Sequence, residues 1–550
     1  MASIESPVAR LADAPLHAHL RAHARRTPDR VAYLWYGAEI TFGQLDAWSD
    51  GFAARLAELG VKQGEPVALF LNNCPQYVVA HYGIQKLGAI VCPCGPLYKE
   101  HELGYQLNDL SARVIVAAAN LLPVLDKVRA GTPALQHVFV TRHAALLPAV
   151  PALDLPPDLA ADFKDRQAAV PEGNLDFMQA CRSGAVPPLV SINIDEDIAL
   201  MTYTSGTTGL PKGAMLTFRN ALYKTKVSVE SRDIDAHDVL LAVAPLYHIA
   251  GMLMGVNLGI YSGATCVLLH RFDPKAVLQA IDRHRVTWWY SIAPMNVAVM
   301  AVPDAKRTYD LSSLRENTVT SFGITYTQAL AEQWQAFAPN CRSMEAAYGL
   351  SETHTMDSSM PPGAVRWGTH GKAVPGNEIR ILDPDSGAGM PAGEHGEIVL
   401  KSAGVFKGYW NKPEATAQTL RNGWVHTGDI GKIDADGYLT FIGRFKEMIK
   451  VSGYSVFPEE VETILIKHPQ IAQAAVIGVP DPEKGEVVKA FIVKKPGAEA
   501  IDAAAVIAWS REHMASYKAP REVAFIDALP ATGAGKVLRR LLKDQQATQA

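Results

Sequence analysis

The stretch with the plainest chemistry is Tyr203-Thr204-Ser205-Gly206-Thr207-Thr208-Gly209-Leu210-Pro211-Lys212-Gly213. It follows an apolar run, Ile198-Ala199-Leu200-Met201, that reads as a buried strand, and regular patterning resumes at Ala214. Its glycines let the backbone turn and come close to a ligand. The hydroxyls of Thr204, Ser205, Thr207 and Thr208, together with the loop N–H groups, offer donors to phosphate oxygens. Lys212 adds a mobile positive charge. Together they describe a cradle for a polyphosphate. Two better-known phosphate motifs do not fit. A P-loop lysine is followed by Ser or Thr, whereas Gly213 follows Lys212, and no glycine stands between Gly206 and Gly209 to complete G-x-G-x-x-G. A Ser/Gly/Thr cluster is often an ordinary solvated loop. The ordered ending Pro211-Lys212-Gly213 argues against that here.

The string closely resembles the phosphate-binding signature of the adenylate-forming superfamily: acyl-CoA synthetases, adenylation domains of nonribosomal peptide synthetases, and luciferases. Further stretches resemble that family's other motifs in the family's order. Ala347-Tyr348-Gly349-Leu350-Ser351-Glu352-Thr353 is similar to its Tyr-Gly-x-Thr-Glu motif, with Ser in place of Thr. The resemblance implies that Tyr348 stacks on adenine, that Ser351 meets the α-phosphate, and that Ala347 and Gly349 line the nucleotide site. Glu352, a hard oxygen ligand, would join Thr204 on Mg²⁺, which completes its shell with phosphates and water. Gly423-Trp424-Val425-His426-Thr427-Gly428-Asp429 is similar to another motif, in which the two oxygens of Asp429 would accept from both ribose hydroxyls. Gly443-Arg444-Phe445-Lys446 resembles the family's interdomain junction. Arg444 would contact ribose or phosphate, Lys446 would be the hinge, and Lys450 and Gly453 would belong to the face used in the thiol half-reaction. Leu529-Pro530-Ala531-Thr532-Gly533-Ala534-Gly535-Lys536 resembles the closing signature, with Lys536 on a glycine-flanked loop entering the site when the small domain closes.

Two stretches bear on the substrate. Pro245-Leu246-Tyr247-His248-Ile249-Ala250-Gly251 resembles a motif whose histidine lies beside the acyl pocket. Amino-acid-activating members generally place an Asp there for the substrate's ammonium, which needs such a partner when buried. His248 therefore favours an acid without an α-amine. Ser321-Phe322-Gly323-Ile324-Thr325 stands where relatives carry a small-residue stretch between adenine and the acyl pocket. Gly323 would face the nucleotide, and Phe322 and Ile324 are bulkier than the family pattern.

The implied reaction joins a carboxylic acid to AMP with release of pyrophosphate, then passes the acyl group to coenzyme A. Lys212, His248, Lys450 and Lys536 are the candidate catalytic side chains, and ATP, Mg²⁺ and coenzyme A the implied cofactors. The apolar stretch from residue 264 to 302 suits a medium- or long-chain fatty acid or a bulky apolar acid. An aryl or alicyclic acid, or a carrier protein loaded in trans, is the alternative.

The elements that must position these residues follow from pattern. Leu45, Trp48, Phe52, Leu56 and Leu59 recur at helical spacing and end at Gly60. Val67 to Leu71 reads as a strand, Pro75 to Leu87 as a helix closed by Gly88, and Ala89 to Val91 as another strand. Such alternation predicts an α/β fold with a parallel sheet. The expected whole is a large multi-subdomain α/β N-terminal domain, residues 1–444, and a small mobile α+β C-terminal domain, residues 445–550, in which Pro458 opens a helix. Residues 1 to about 20 read as peripheral, and Leu121 to Pro188, rich in Ala and Pro, as surface connections. With Lys plus Arg at 52 against Asp plus Glu at 56, the net charge of −4 gives no basic surface for nucleic acid. No apolar run reaches membrane-spanning length and no signal pattern opens the chain. The six cysteines make no disulfide framework. These features point to a cytoplasmic enzyme of small molecules, and the family resemblance allows a homodimer.

Overall fold

Runs such as Val67-Ala68-Leu69-Phe70, apolar on consecutive residues, suit parallel strands covered on both faces. The computed structural model describes residues 13–204, 210–321, 325–451, 454–481, 485–498, 500–532 and 537–549. Within them one sheet runs Gly408–Tyr409, Lys212–Thr217, Ile198–Thr204, Ile90–Pro93, Pro66–Phe70, Val114–Ala118, His137–Thr141, Leu175–Asp176. Its interior is parallel, and Ile198–Thr204 and Lys212–Thr217 form an antiparallel hairpin with Thr204 opposite Lys212. A second sheet runs Arg342–Glu345, Glu316–Thr320, Trp288–Ile292, Val239–Ala242, Thr265–Leu268, Val31–Trp35, Ala38–Thr41. It is parallel up to its last strand. One continuous apolar core joins both sheets and the helices Phe42–Glu58 and Pro75–Lys86. The first helix starts at a Thr41–Gln44 capping box, the second has Pro75 in its first turn, and Gly60 and Gly88 follow them at φ +75° and +68°.

A third, antiparallel sheet of Glu378–Leu382, Gly396–Lys401, Trp424–Ile433, Leu420–Arg421 and Leu439–Arg444 closes the large part of the molecule. Beyond it, Tyr454–Val456, Ile449–Val451, Gly485–Lys494, Ile471–Asp481 and Glu522–Phe525 make a separate sheet with its own cores, flanked by the helices Pro458–Leu465, Ala503–His513 and Arg539–Gln549. The expected large α/β and small α+β parts are both present.

Two expectations are corrected. Leu121 to Pro188 supplies the strands His137–Thr141 and Leu175–Asp176 and the helices Leu122–Arg129, Pro157–Lys164 and Phe177–Cys181. Prolines of this stretch sit in the first turns of two helices, where no hydrogen bond is lost. Phe139 and Phe177 close on Phe52. Its periodicity is weak because the strand His137–Thr141 is buried on both faces. The N-terminal stretch is not wholly peripheral either, since the helix Leu16–Arg26 buries Leu16, His19 and Leu20. Among the described residues no helix is long and apolar enough to cross a membrane. All six cysteines are buried free thiols, and burial pushes that of Cys74 up to about 12.

Candidate active site

The hairpin of Ile198–Thr204 and Lys212–Thr217 delivers Thr204 at the end of one strand and Lys212 at the start of the next. Ser205, Gly206, Thr207, Thr208 and Gly209, between them, lie outside the described residues. The short strand Gly408–Tyr409 pairs with the hairpin, and Trp410 N–H donates to the Gly213 carbonyl at 2.8 Å. This brings the Tyr409 ring under Lys212, whose Nζ is 5.1 Å from the ring centroid. The Tyr409 hydroxyl donates to Glu352 Oε1 at 2.7 Å. One buried tyrosine thus joins the loop cation to the carboxylate. Burial, and then the Glu352 charge, push the Tyr409 phenol well above its usual range, so it remains a donor. Asp109 anchors the same assembly from the helix Glu100–Leu110. Its carboxylate accepts from Tyr203 at 2.7 Å and from Lys412 at 3.0 Å, and its carbonyl from Trp410 Nε1 at 3.2 Å. Tyr105 of that helix donates to the Pro211 carbonyl at 2.9 Å.

Strand register builds a second group. Asp429 stands opposite Arg444 across Trp424–Ile433 and Leu439–Arg444, and their side chains pair at 2.9 Å. Thr427-Gly428-Asp429 lies within a strand, with Gly428 at φ +68°. The Tyr348 hydroxyl donates to Asp429 Oδ2 at 2.7 Å, and its ring stacks on Phe441 with centroids 5.9 Å apart. Burial opposes the charge on Arg444, but Asp429 and the neighbouring carboxylates outweigh it and raise its pKa. Ala347, Gly349 and Ser351 flank Tyr348 and Glu352, with Ser351–Thr353 in a tight turn.

In a third group, His248 caps the helix that begins at Ile249, its Nδ1 accepting from Ala250 N–H at 3.4 Å. Gly251 is required there, since a Cβ would come within 2.0 Å of the Pro245 carbonyl. The helix then widens to a π-turn over Leu253–Asn257, a geometry frequent at functional sites. Tyr33 donates to the Gly255 carbonyl at 2.9 Å and Tyr82 to that of Val256 at 3.2 Å. A narrow crevice lies against this turn, lined by Leu241 to Ala244, Gly251, Met254, Gly255 and Tyr290. Phe322, Gly323 and Ile324 lie outside the described residues. Ser321, just before them, donates through its N–H and Oγ to Glu345, at 3.1 and 2.5 Å. Burial pushes the Glu345 carboxyl up to about 7.

At the junction, Phe445–Glu447 forms a single tight turn with Lys446 exposed. Lys450 is exposed on Ile449–Val451, and its N–H donates to Glu486 at 2.8 Å. Gly453 and Lys536 lie outside the described residues. Arg539, three positions after Lys536, pairs with Glu447, with Glu459 at 2.9 Å and with Glu462 at 2.8 Å. Sequence reasoning missed Tyr409, Phe441, Asp109 and Glu345. Each acts through a partner far along the chain, and only the pair Gly408-Tyr409 beside a tryptophan gave any local signal.

The AMP-binding enzyme family matches residues 20–410, and the AMP-binding enzyme C-terminal domain matches residues 460–536. A long-chain-fatty-acid–CoA ligase of Bacillus subtilis is 33% identical over 541 residues, covering 96% of this chain and 94% of its own. A feruloyl-CoA synthase of Amycolatopsis is 34% identical over 523 residues, covering 94% and 96%. The crystal structure of an anthranilate–CoA ligase in complex with anthranoyl-AMP superimposes with a TM-score of 0.84 at 30% identity, covering 98% of each chain. The chain belongs to the AMP-binding enzyme family. Within it, the protein is an AMP-forming acid–CoA ligase.

Proposed function

We propose that the protein activates an apolar carboxylic acid without an α-amine, a medium- or long-chain fatty acid or a bulky apolar acid, and transfers it to coenzyme A. The observation carrying this reading is the apolar lining of the crevice at the π-turn. Leu241, Val243, Met254 and Tyr290 wall it, and no charged side chain is among its lining residues. An ammonium or a second carboxylate placed there would lose its hydration without a partner.

A thiolate cannot displace oxide from a carboxylate, so the acid first attacks the α-phosphorus of ATP and pyrophosphate leaves. Catalysis of that step is charge stabilisation on a crowded polyphosphate. Lys212 and the hairpin N–H groups face the phosphates, Lys536 enters from the small domain, and Ser351 meets the α-phosphate. Tyr348, with Ala347, Gly349 and Gly323, bounds the adenine, and Asp429 with Arg444 holds the ribose. Glu352 and Thr204 supply hard oxygens that suit Mg²⁺, which when bound would neutralise phosphate charge. The Tyr409 hydrogen bond already orients Glu352 for such a role. His248, Phe322 and Ile324 border the acyl group. Residues 1–444 and 445–550 are the two moving bodies, with Lys446 as hinge and with Lys450 and Gly453 on the face that meets coenzyme A. Buried reduced thiols suit a cytoplasmic enzyme. Sedimentation would tell a monomer from a homodimer.

A compact aryl acid is the second reading. A feruloyl-CoA synthase and an anthranilate–CoA ligase among the similar proteins support it. A panel of benzoates, cinnamates, octanoate and palmitate, scored by AMP release with coenzyme A, tests both. Turnover of polar or α-amino acids alone would refute both, and turnover with a carrier protein but not coenzyme A would identify the acceptor as the carrier.

A further inference from the structure

Immediately after Glu352 the backbone does something unusual. His354, Thr355 and Met356 all lie in the left-handed region, at φ 57°, 58° and 51°. None is glycine, and a β-branched residue such as Thr355 is a true outlier there. Such strain persists only where the surroundings impose it. The run folds back under the Tyr348 turn: Thr355 N–H donates to the Leu350 carbonyl at 2.7 Å, and Asp357 N–H to the Tyr348 carbonyl at 2.7 Å. Gly349 packs so closely that a Cβ there would meet Met356 N at 2.4 Å.

A completely buried ion pair holds the run. Lys224 Nζ pairs with Asp357 Oδ1 at 2.6 Å, neither side chain having any exposure. The same ammonium donates to the Met356 carbonyl at 3.1 Å. Asp357 also accepts from the Thr353 hydroxyl and from Asn377 Nδ2, the latter at 2.8 Å. Lys224 belongs to the helix Phe218–Ser231, which directly continues the strand that Lys212 opens. Burial works against the charge on both partners, lowering Lys224 and raising Asp357. A pair of this kind adds little to stability, and well-packed apolar residues often replace it without loss.

We propose that Lys224 and Asp357 are positioning residues, which hold the left-handed run at His354–Met356 and thereby fix Tyr348 and Glu352 against the phosphate-loop hairpin. This rests on the nucleotide-side roles given to Tyr348 and Glu352 above. The test is the double variant Lys224→Met/Asp357→Leu, which removes the pair without stranding a charge. The expected result is a Tm within a few degrees of the parent, with kcat for pyrophosphate exchange at least about tenfold lower and the acid KM unchanged. AMP binding by calorimetry should weaken, and amide hydrogen exchange should quicken over residues 348–358. Adding Thr355→Gly, which lets that position adopt the same φ freely, should restore part of the lost rate. If that variant fails to fold, Lys224→Met/Asp357→Asn, which also strands no charge and keeps an oxygen to accept from Thr353 and Asn377, carries the test, with the same expected split between kcat and acid KM. Parental exchange kinetics and parental amide protection in a folded variant would overturn the proposal. Glu352→Gln run alongside separates the two claims. If it too exchanges like the parent, the reading of Glu352 fails, whereas if it alone is crippled, only the positioning proposal fails.

Discussion

Asp429→Asn tests the ribose contact proposed for this carboxylate. The change preserves shape and removes one charge from a carboxyl whose side chain is 3% exposed, set between Tyr348 and Arg444. The amide oxygen still accepts from Tyr348, so the loss falls on the Arg444 pair. Breaking a fully buried pair costs about 3–5 kcal/mol. Arg444 keeps 26% of its side chain in water and recovers part of that, so we expect a loss of about 1–3 kcal/mol. The functional effect is separable. A charged acceptor's hydrogen bond contributes about 1.5–3 kcal/mol, and the amide offers the ribose one acceptor atom where the carboxylate offered two. The KM for ATP in pyrophosphate exchange should rise about ten- to hundredfold, with the KM for the acid unchanged. 2′-Deoxy-ATP supplies the control. The parent enzyme should use it at least about tenfold less well than ATP, and the variant should discriminate far less. Equal use of both nucleotides by the parent, or a parental ATP KM in the variant, would refute the ribose assignment.

Tyr409→Phe keeps the ring beneath Lys212 and deletes the donor to Glu352. If Glu352 holds the proposed Mg²⁺, pyrophosphate exchange should fall about tenfold or more, and titration with Mg²⁺ should show a raised half-saturation point. The Glu345 carboxyl binds its proton more tightly folded than unfolded, with its pKa raised from 4.5 to about 7 by burial. Its stabilisation is complete below pH 4.5 and is lost as pH rises through 7, a swing of up to about 3 kcal/mol. The Tm of Glu345→Gln relative to the parent should therefore climb between pH 5 and 8, and a flat difference would contradict the buried acid. Lys536→Ala should cut adenylate formation some hundreds-fold, on the order of a few kcal/mol, and spare thioester formation from synthetic acyl-AMP. Equal loss in both half-reactions would remove Lys536 from the first step.

Local chemistry was legible in the chain. The glycines and hydroxyls before Lys212, the helix ends at Gly60 and Gly88, and the order of the motifs depend on neighbours in sequence, and they fixed the family, the α/β class and the candidate nucleotide residues. The long-range pairings were not legible. Tyr409 reaches Glu352 across 57 residues and Lys224 reaches Asp357 across 133, and nothing in the local pattern of either partner names the other. Asp429 meets Arg444 only because of strand register, and the strand His137–Thr141 was hidden because burial on both faces erases alternation. The amino acids by themselves set which groups could carry charge or hydrogen bonds. Folding alone decided which of them lost their water together, and that desolvation turns a solvated side chain into a positioned one.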